Sequence, residues 1–447
     1  MRGFTHQLMA LVLSVGAGAA MAGVDIQQWG ASTGARVSFV ETHALPIVDV
    51  QVDFSAGSAY APADKSGLAG LTASLLDAGT QQRDENALAD RFADLGARFG
   101  ASAETDRATV TLRTLSNASE REAAIALLAE VMAQPAFPPA VVERERARAI
   151  AGLKEAQTQP GYLVERAFGE AVYGDHPYGR AASEASLAGL TRDDVVAFHR
   201  QHYTAAAAHV SVVGDLSRAQ AEAVAEQLTR GLAAGQPPAA LPAPALPAAR
   251  VSRVSHPAAQ SHILIGMPGL TRDDPDYYAL VAGNYVLGGG GFVSRLMKEV
   301  REKRGYAYSV YSYFEPQRVA GPFRIGLQTR GQQADDAIAV VRETLQQFID
   351  AGPTQEELDA AKGNIVNGFG LRLDSNAKLL GYVGVIGFYG LPADWLEQYP
   401  QAVSALTVEQ VRDAFKRRVL PEHLVTVVVG GEGDQTAAVA PDAAKLR

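Results

Sequence analysis

The chain has no cysteine. That excludes disulfides, thiolate metal sites and cysteine nucleophiles together. It also has no excess of basic charge: 40 Lys and Arg stand against 49 Asp and Glu, a net charge of −9. A nucleic-acid binder should show a basic face, so that class of partner is excluded. Beyond the N-terminus no apolar run approaches the roughly 20 residues that span a bilayer, so no membrane span is expected in the mature chain.

What is there begins with a targeting segment. Arg2 supplies a positive start, Leu8 to Ala20 is apolar, and Ala20-Met21-Ala22 fits a small-x-small cleavage site. We expect a signal peptide over residues 1–22 and a mature chain from Gly23, exported to the periplasm or secreted. The apolar stretch, about 15 residues, is too short to act as an anchor, and no cysteine follows to carry a lipid.

The 447 residues, 47% of them apolar, suffice for two or three domains. Residues 231–250, GLAAGQPPAALPAPALPAAR, are rich in Ala and Pro and show no strong periodicity. Repeated prolines favour an extended, semi-rigid linker. The expected division is a domain over 23–232, a linker over 233–250 and a domain over 251–447. The halves look like copies. LTRDDVVAFHRQHYTAAAAHVSVVGD in the first answers LTVEQVRDAFKRRVLPEHLVTVVVGG in the second. Thr191 and Thr407 are the expected N-caps, each followed by acidic residues. Segments such as Val110–Leu115 and Phe323–Thr329 alternate with period two, and long amphipathic helices follow them. The expectation is an α+β fold made twice: two homologous layered α/β-sandwich domains.

The stretch GLAGLTASLLDAGT, Gly67 to Thr80, reads as a short helix ending at a Gly-Thr turn. In an H-x-x-E-H helix, histidines at i and i+4 bind zinc from one face and the glutamate serves as general base. The stretch resembles that motif's setting in the insulinase/pitrilysin family, which includes the mitochondrial processing peptidases: G-L-A-H-L-L-E-H-x-L-x-x-G-T. Gly67-Leu68-Ala69, Leu71, Leu76 and Gly79-Thr80 keep the frame. Gly70 and Ser74 stand at the histidine positions and Ala73 at the base. The resemblance places the third ligand, a glutamate, in ERERARAIAGLKEAQTQP, where Ala151 and Gly152 stand; Glu145 and Glu155 are near but out of position. Glycine and alanine offer no donor, and a serine hydroxyl is a poor zinc ligand at neutral pH. No metal is therefore expected in this chain, and taken alone the stretch is a plain amphipathic core helix. His199 and His202 read as a solvated helix face, and His176 as part of a turn.

The second half carries LGGGGFVSRLMKEVREKRGYAYSVYSYF, Leu287 to Phe314. Gly288, Gly289, Gly290 and Gly291 lack a following Gly-Lys-Ser/Thr, so they are no phosphate loop; a tight turn or close backbone approach is expected. The segment resembles L-G-G-G-x-x-S-R-L-x-x-E-V-R-E-K-R-G-x-A-Y-S-V of the same family. There an Arg and a Tyr seven residues later hold the substrate opposite the zinc. By position these are Arg301 and Tyr308, with Gly288 to Gly291 as a further substrate loop. Residue by residue, the bland alternative pairs Arg301 with Glu299 or Glu315 and half-buries Tyr308 in strand packing. The resemblance implies a non-catalytic subunit of a heteromeric zinc metallopeptidase. A homologous H-x-x-E-H chain would supply the zinc, and peptides would be the substrates. The alternative is a peptide-binding or structural scaffold of the same fold.

Overall fold

The computed structural model describes residues 24–431. The expected signal peptide lies outside the described residues. Strands β1 (Gln27–Gly30), β2 (Arg36–Glu41), β3 (Ile47–Phe54), β4 (Arg98–Ala103), β5 (Ala108–Leu115) and β6 (Ala208–Gly214) form one sheet, ordered β1-β2-β6-β3-β5-β4. Strands β7 (Arg250–Val254), β8 (Gln260–Leu270), β9 (Ala307–Phe314), β10 (Gly321–Arg330) and β11 (Val425–Val429) form a second, ordered β7-β11-β8-β10-β9. The second sheet repeats the first without β1. In both, the β2–β6 or β7–β11 pair is parallel and the pairs that follow are antiparallel.

The expected pair of layered halves is therefore present. Helices Ala118–Ala133 and Ala334–Ala351 bury apolar faces in the two main cores. Thr191 and Thr407 each close a capping box, accepting from the N3 backbone while the Asp194 or Gln410 side chain accepts in return. Residues 234–249 contain no helix or strand. This stretch is tied down by two histidines: His176 Nε2 lies 2.9 Å from the Pro242 carbonyl oxygen, and His423 Nδ1 lies 2.7 Å from that of Pro247.

Each half lends one helix to the other. Helix Pro160–Tyr173 leaves the first half and packs on β8 and β11 of the second. Val164, Phe168 and Val172 meet Leu264, Val425 and Val427 there in an apolar layer. In return, helix Asn376–Tyr389 lies on β2, β3 and β6. This second seat is mixed: Val40 of β2 and Val213 of β6 join the apolar cluster of Val383 and Ile386, while on β3 period-two alternation sends Val48, Val50 and Val52 to the first core and Asp49, Gln51 and Asp53 to the opposite face. Close approach needs glycine: a Cβ at Gly384 would overlap the Gln51 amide, and one at Gly387 the His209 imidazole.

His209 is buried with neither ring nitrogen hydrogen-bonded. Burial, and then the Arg36 charge, lower its pKa to about 3. His199 corrects the solvated-face reading. It lies 2.9 Å from the Met132 carbonyl oxygen and stacks on Tyr203, and burial lowers its pKa to about 4. His202 likewise packs inward, with Nδ1 at 3.2 Å from the Ser55 carbonyl oxygen. The helix face is packed because α/β layering turns it toward the first sheet's core. Both His199 and His209 stay neutral in the folded chain while the unfolded chain protonates near 6.5. Their stabilising effect is complete above that value. It falls as pH drops from about 6.5 toward 4 for His199 and toward 3 for His209. We expect unfolding free energy to decline by up to about 1.4 kcal/mol per pH unit for each histidine in this window. Urea denaturation at stepped pH should show it, and His209→Gln should flatten the slope.

Candidate functional site

Helix Leu68–Ser74 begins at Gly67, whose φ of +101° suits glycine. It buries Leu68, Leu71, Thr72 and Ala73, and exposes Gly70 and Ser74 on one side, as i,i+4 spacing requires. Gly70 and Ser74 open on a cavity of about 380 Å3 whose far wall includes Ala149, Gly152 and Ala156 of helix Pro139–Ala156. The fold thus brings the two histidine positions and Gly152 to one recess. A Cβ at Gly70 or Gly152 would meet nothing within 4 Å. The Ser74 hydroxyl donates to the Leu71 carbonyl oxygen at 3.0 Å. Glu145 pairs with Arg144 and Arg148, and neither it nor Glu155 lines the recess. No group of three His, Asp or Glu able to hold a metal occurs among the described residues. A single serine hydroxyl does not fit zinc, which takes three protein donors in catalytic sites.

Arg301 lies on the π-helical turn Met297–Glu302 and Tyr308 near the start of β9, the edge strand of the second sheet. The guanidinium sits between two rings, 5.0 Å from Tyr308 and 4.8 Å from Phe292. Tyr308 is 82% exposed, so it is not strand packing, and neither expected carboxylate holds Arg301. Glu299 is taken by Lys303 and Arg304, and Glu315 by Arg324. Arg301, Tyr308 and the glycine loop line a cavity of about 630 Å3 along β9. The glycines make this loop compact: a Cβ at Gly288 would strike Ser312, and Gly291 has a φ of +62°. Asn284, which the sequence did not single out, holds the loop's helix to β9. Its side chain donates to the Ser312 carbonyl oxygen (2.8 Å) and accepts from the Ser312 hydroxyl (2.6 Å).

Tyr162 borders the Gly70 cavity, while Gly161 lines a third cavity, about 550 Å3, that reaches Tyr308 and Tyr311.

A metallopeptidase scaffold without its metal donors is the class that this fold and this helix define. Residues 36–186 match the insulinase family, peptidase family M16, and residues 189–365 match the peptidase M16 inactive domain. The chain belongs to peptidase family M16. It is 27% identical over 378 residues to an uncharacterized zinc protease of Streptomyces coelicolor, covering 83% of this chain and 82% of the relative. It is 23% identical over 401 residues to the non-peptidase homolog YmxG of Helicobacter pylori, covering 89% and 92%. Among solved structures, a peptidase M16 inactive domain from Pseudomonas fluorescens superposes with a TM-score of 0.89 at 38% identity, over 92% of this chain and 99% of that one. The periplasmic protease PqqL of Escherichia coli shares the fold, with a TM-score of 0.77 at 18% identity over 96% of this chain and 49% of its own.

Proposed function

We propose that this chain is the non-catalytic subunit of an exported heteromeric zinc metallopeptidase. A homologous H-x-x-E-H chain brings the zinc. This chain supplies cavity wall, the Gly288–Gly291 loop and the Arg301–Tyr308 pair that hold the peptide. The observation that carries the reading is Arg301 itself: a cation held between two aromatic rings over an open cavity, paired with no carboxylate among the described residues. Its guanidinium and the Tyr308 hydroxyl are donors suited to peptide carbonyls or to oxyanion charge. The likeness to PqqL supports a periplasmic setting, and no helix among the described residues is long and apolar enough to cross a membrane.

The test is the assembled complex. Arg301→Ala removes the charged donor, and Tyr308→Phe removes one hydroxyl with almost no volume. Loss of one transition-state donor costs about 2.7–4 kcal/mol, and a donor used mainly for positioning costs less. Each variant should therefore assemble normally and lower kcat/KM at least about tenfold, which is roughly 1.4 kcal/mol. Fully active complexes from both variants would instead favour a scaffold role, the reading to which the non-peptidase name of the Helicobacter pylori relative lends weight.

A further inference from the structure

A separate cavity of about 630 Å3 lies on the seam between the halves. It sets the β4–β5 turn, at Glu104, Asp106 and Arg107, against Arg272, Gln317 and Tyr389 of the second half. It adjoins the Arg301–Tyr308 recess, since Asn284 and Tyr313 line both.

Its charges can be accounted for one at a time. Asp106 Oδ1 accepts from the Tyr178 hydroxyl at 2.5 Å, and Oδ2 from the Tyr389 hydroxyl at 2.9 Å and the Arg318 N–H at 2.8 Å. Glu104 and Asp53 each lie 3.4 Å from Arg107, so its charge is paired, although its Nη1 is itself buried without a hydrogen-bond acceptor. Glu315 is paired with Arg324. Arg272 pairs with no carboxylate among the described residues. Its guanidinium stands 5.1 Å over the Tyr389 ring, and its Nε is buried without an acceptor. The Gln317 Oε1 is buried without a donor. Backbone pairing holds the two residues side by side: Thr271 and Gln317 form an isolated parallel bridge, and the Arg272 N–H donates to the Gln317 carbonyl oxygen at 2.8 Å. Side by side on this wall, then, stand an arginine Nε without an acceptor and an amide oxygen without a donor.

A peptide presents the partners of both at its last residue, where the final amide N–H precedes the free carboxylate. We infer that the seam cavity binds the C-terminal carboxylate of a peptide. The Arg272 fork takes the carboxylate, the Gln317 amide, turned from its buried position into the cavity, takes the last N–H on Oε1, and Tyr277 and Tyr313 flank the terminal side chain. This rests on the peptide-holding reading above, with the chain passing from Arg301 along β9 to Tyr313.

The test uses the mature chain, acetyl-leucyl-phenylalanine and its C-terminal amide, with binding measured by calorimetry. The acid should bind at least about tenfold more tightly than the amide, because the charged bond is lost on amidation. Arg272→Gln should erase the preference and Arg272→Lys should keep part of it, with thermal melting confirming that each variant folds. Equal binding of acid and amide, or a preference that survives Arg272→Gln, would overturn the assignment. So would phenylacetate binding as tightly as the peptide acid, since it lacks the N–H. The two proposals separate cleanly. An acid preference governed by Arg272 alongside an Arg301→Ala complex of full activity sinks only the Arg301 reading, and the reverse sinks only this one.

Discussion

Replacing Gly70 and Ser74 with histidine and Gly152 with glutamate should give a chain that retains about one zinc ion after dialysis, against less than about 0.1 for the natural sequence. The frame for the site is intact. Gly70 and Ser74 share one exposed side of helix Leu68–Ser74, and Gly152 faces them across a recess of about 380 Å3. New side chains at Gly70 and Gly152 enter open space, and the histidine at position 70 also removes a glycine from a helix. Two imidazoles and a carboxylate are the donor set of several catalytic zinc sites. Ala73 remains, so no general base returns and peptide hydrolysis should stay absent. Metal analysis of both proteins decides the matter. Stoichiometric zinc in the natural chain would overturn the reading of this helix, and no zinc in the triple variant would show that its backbone no longer fits a metal.

The second large effect should come from Asp106. It is 2% exposed and ties three segments together: Tyr178 of the first half, and Arg318 and Tyr389 of the second. Burial, and then the Asp106 charge, hold both tyrosines far above their usual pKa, so they remain donors. Arg36 and Arg318 converge on the Phe388 carbonyl oxygen at the end of the lent helix, and Arg107 and Arg272 stand close by. Removing the carboxylate strands three donors and leaves these cations with one fewer counter-charge. Bonds to a charged group contribute about 1.5–3 kcal/mol each and are not additive. Asp106→Ala should therefore cost about 3–5 kcal/mol, and Tyr389→Phe about 1 kcal/mol. Urea unfolding of the three proteins measures both. A loss below about 1 kcal/mol for Asp106→Ala would show that the seam is held elsewhere.

Much of this was legible in the sequence, and the limits are physical. Period-two alternation and the two Leu-Thr caps are local signals, so the paired sheets and the duplicated helices at Thr191 and Thr407 could be read directly. The Gly70–Ser74 spacing marked one face of a helix, and the fold then chose Gly152 over Ala151 as the residue opposite. The histidines of FHRQHY were misread as solvated because burial there depends on Met132 and Ser55, far away in sequence. Asp106 and Arg272 gave no signal. ETDR reads as an ordinary hairpin turn, and what makes Asp106 matter arrives from residues 178, 318 and 389. Arg272 is notable only for a partner it lacks, which no local pattern can express.

The lent helices bear on how such a chain can change over generations. After a duplication, copies usually diverge as separate modules that can be deleted, shuffled or fused anew. Here helix Pro160–Tyr173 and helix Asn376–Tyr389 each complete the other copy. Deleting one copy strips a sheet of its cover in the survivor. Gly384 and Gly387 tighten the bond, because they must stay small for as long as Gln51 and His209, inherited with the other copy, stay large. The two copies are free to specialise, and one can give up its metal chemistry, but they must do so as a single heritable unit.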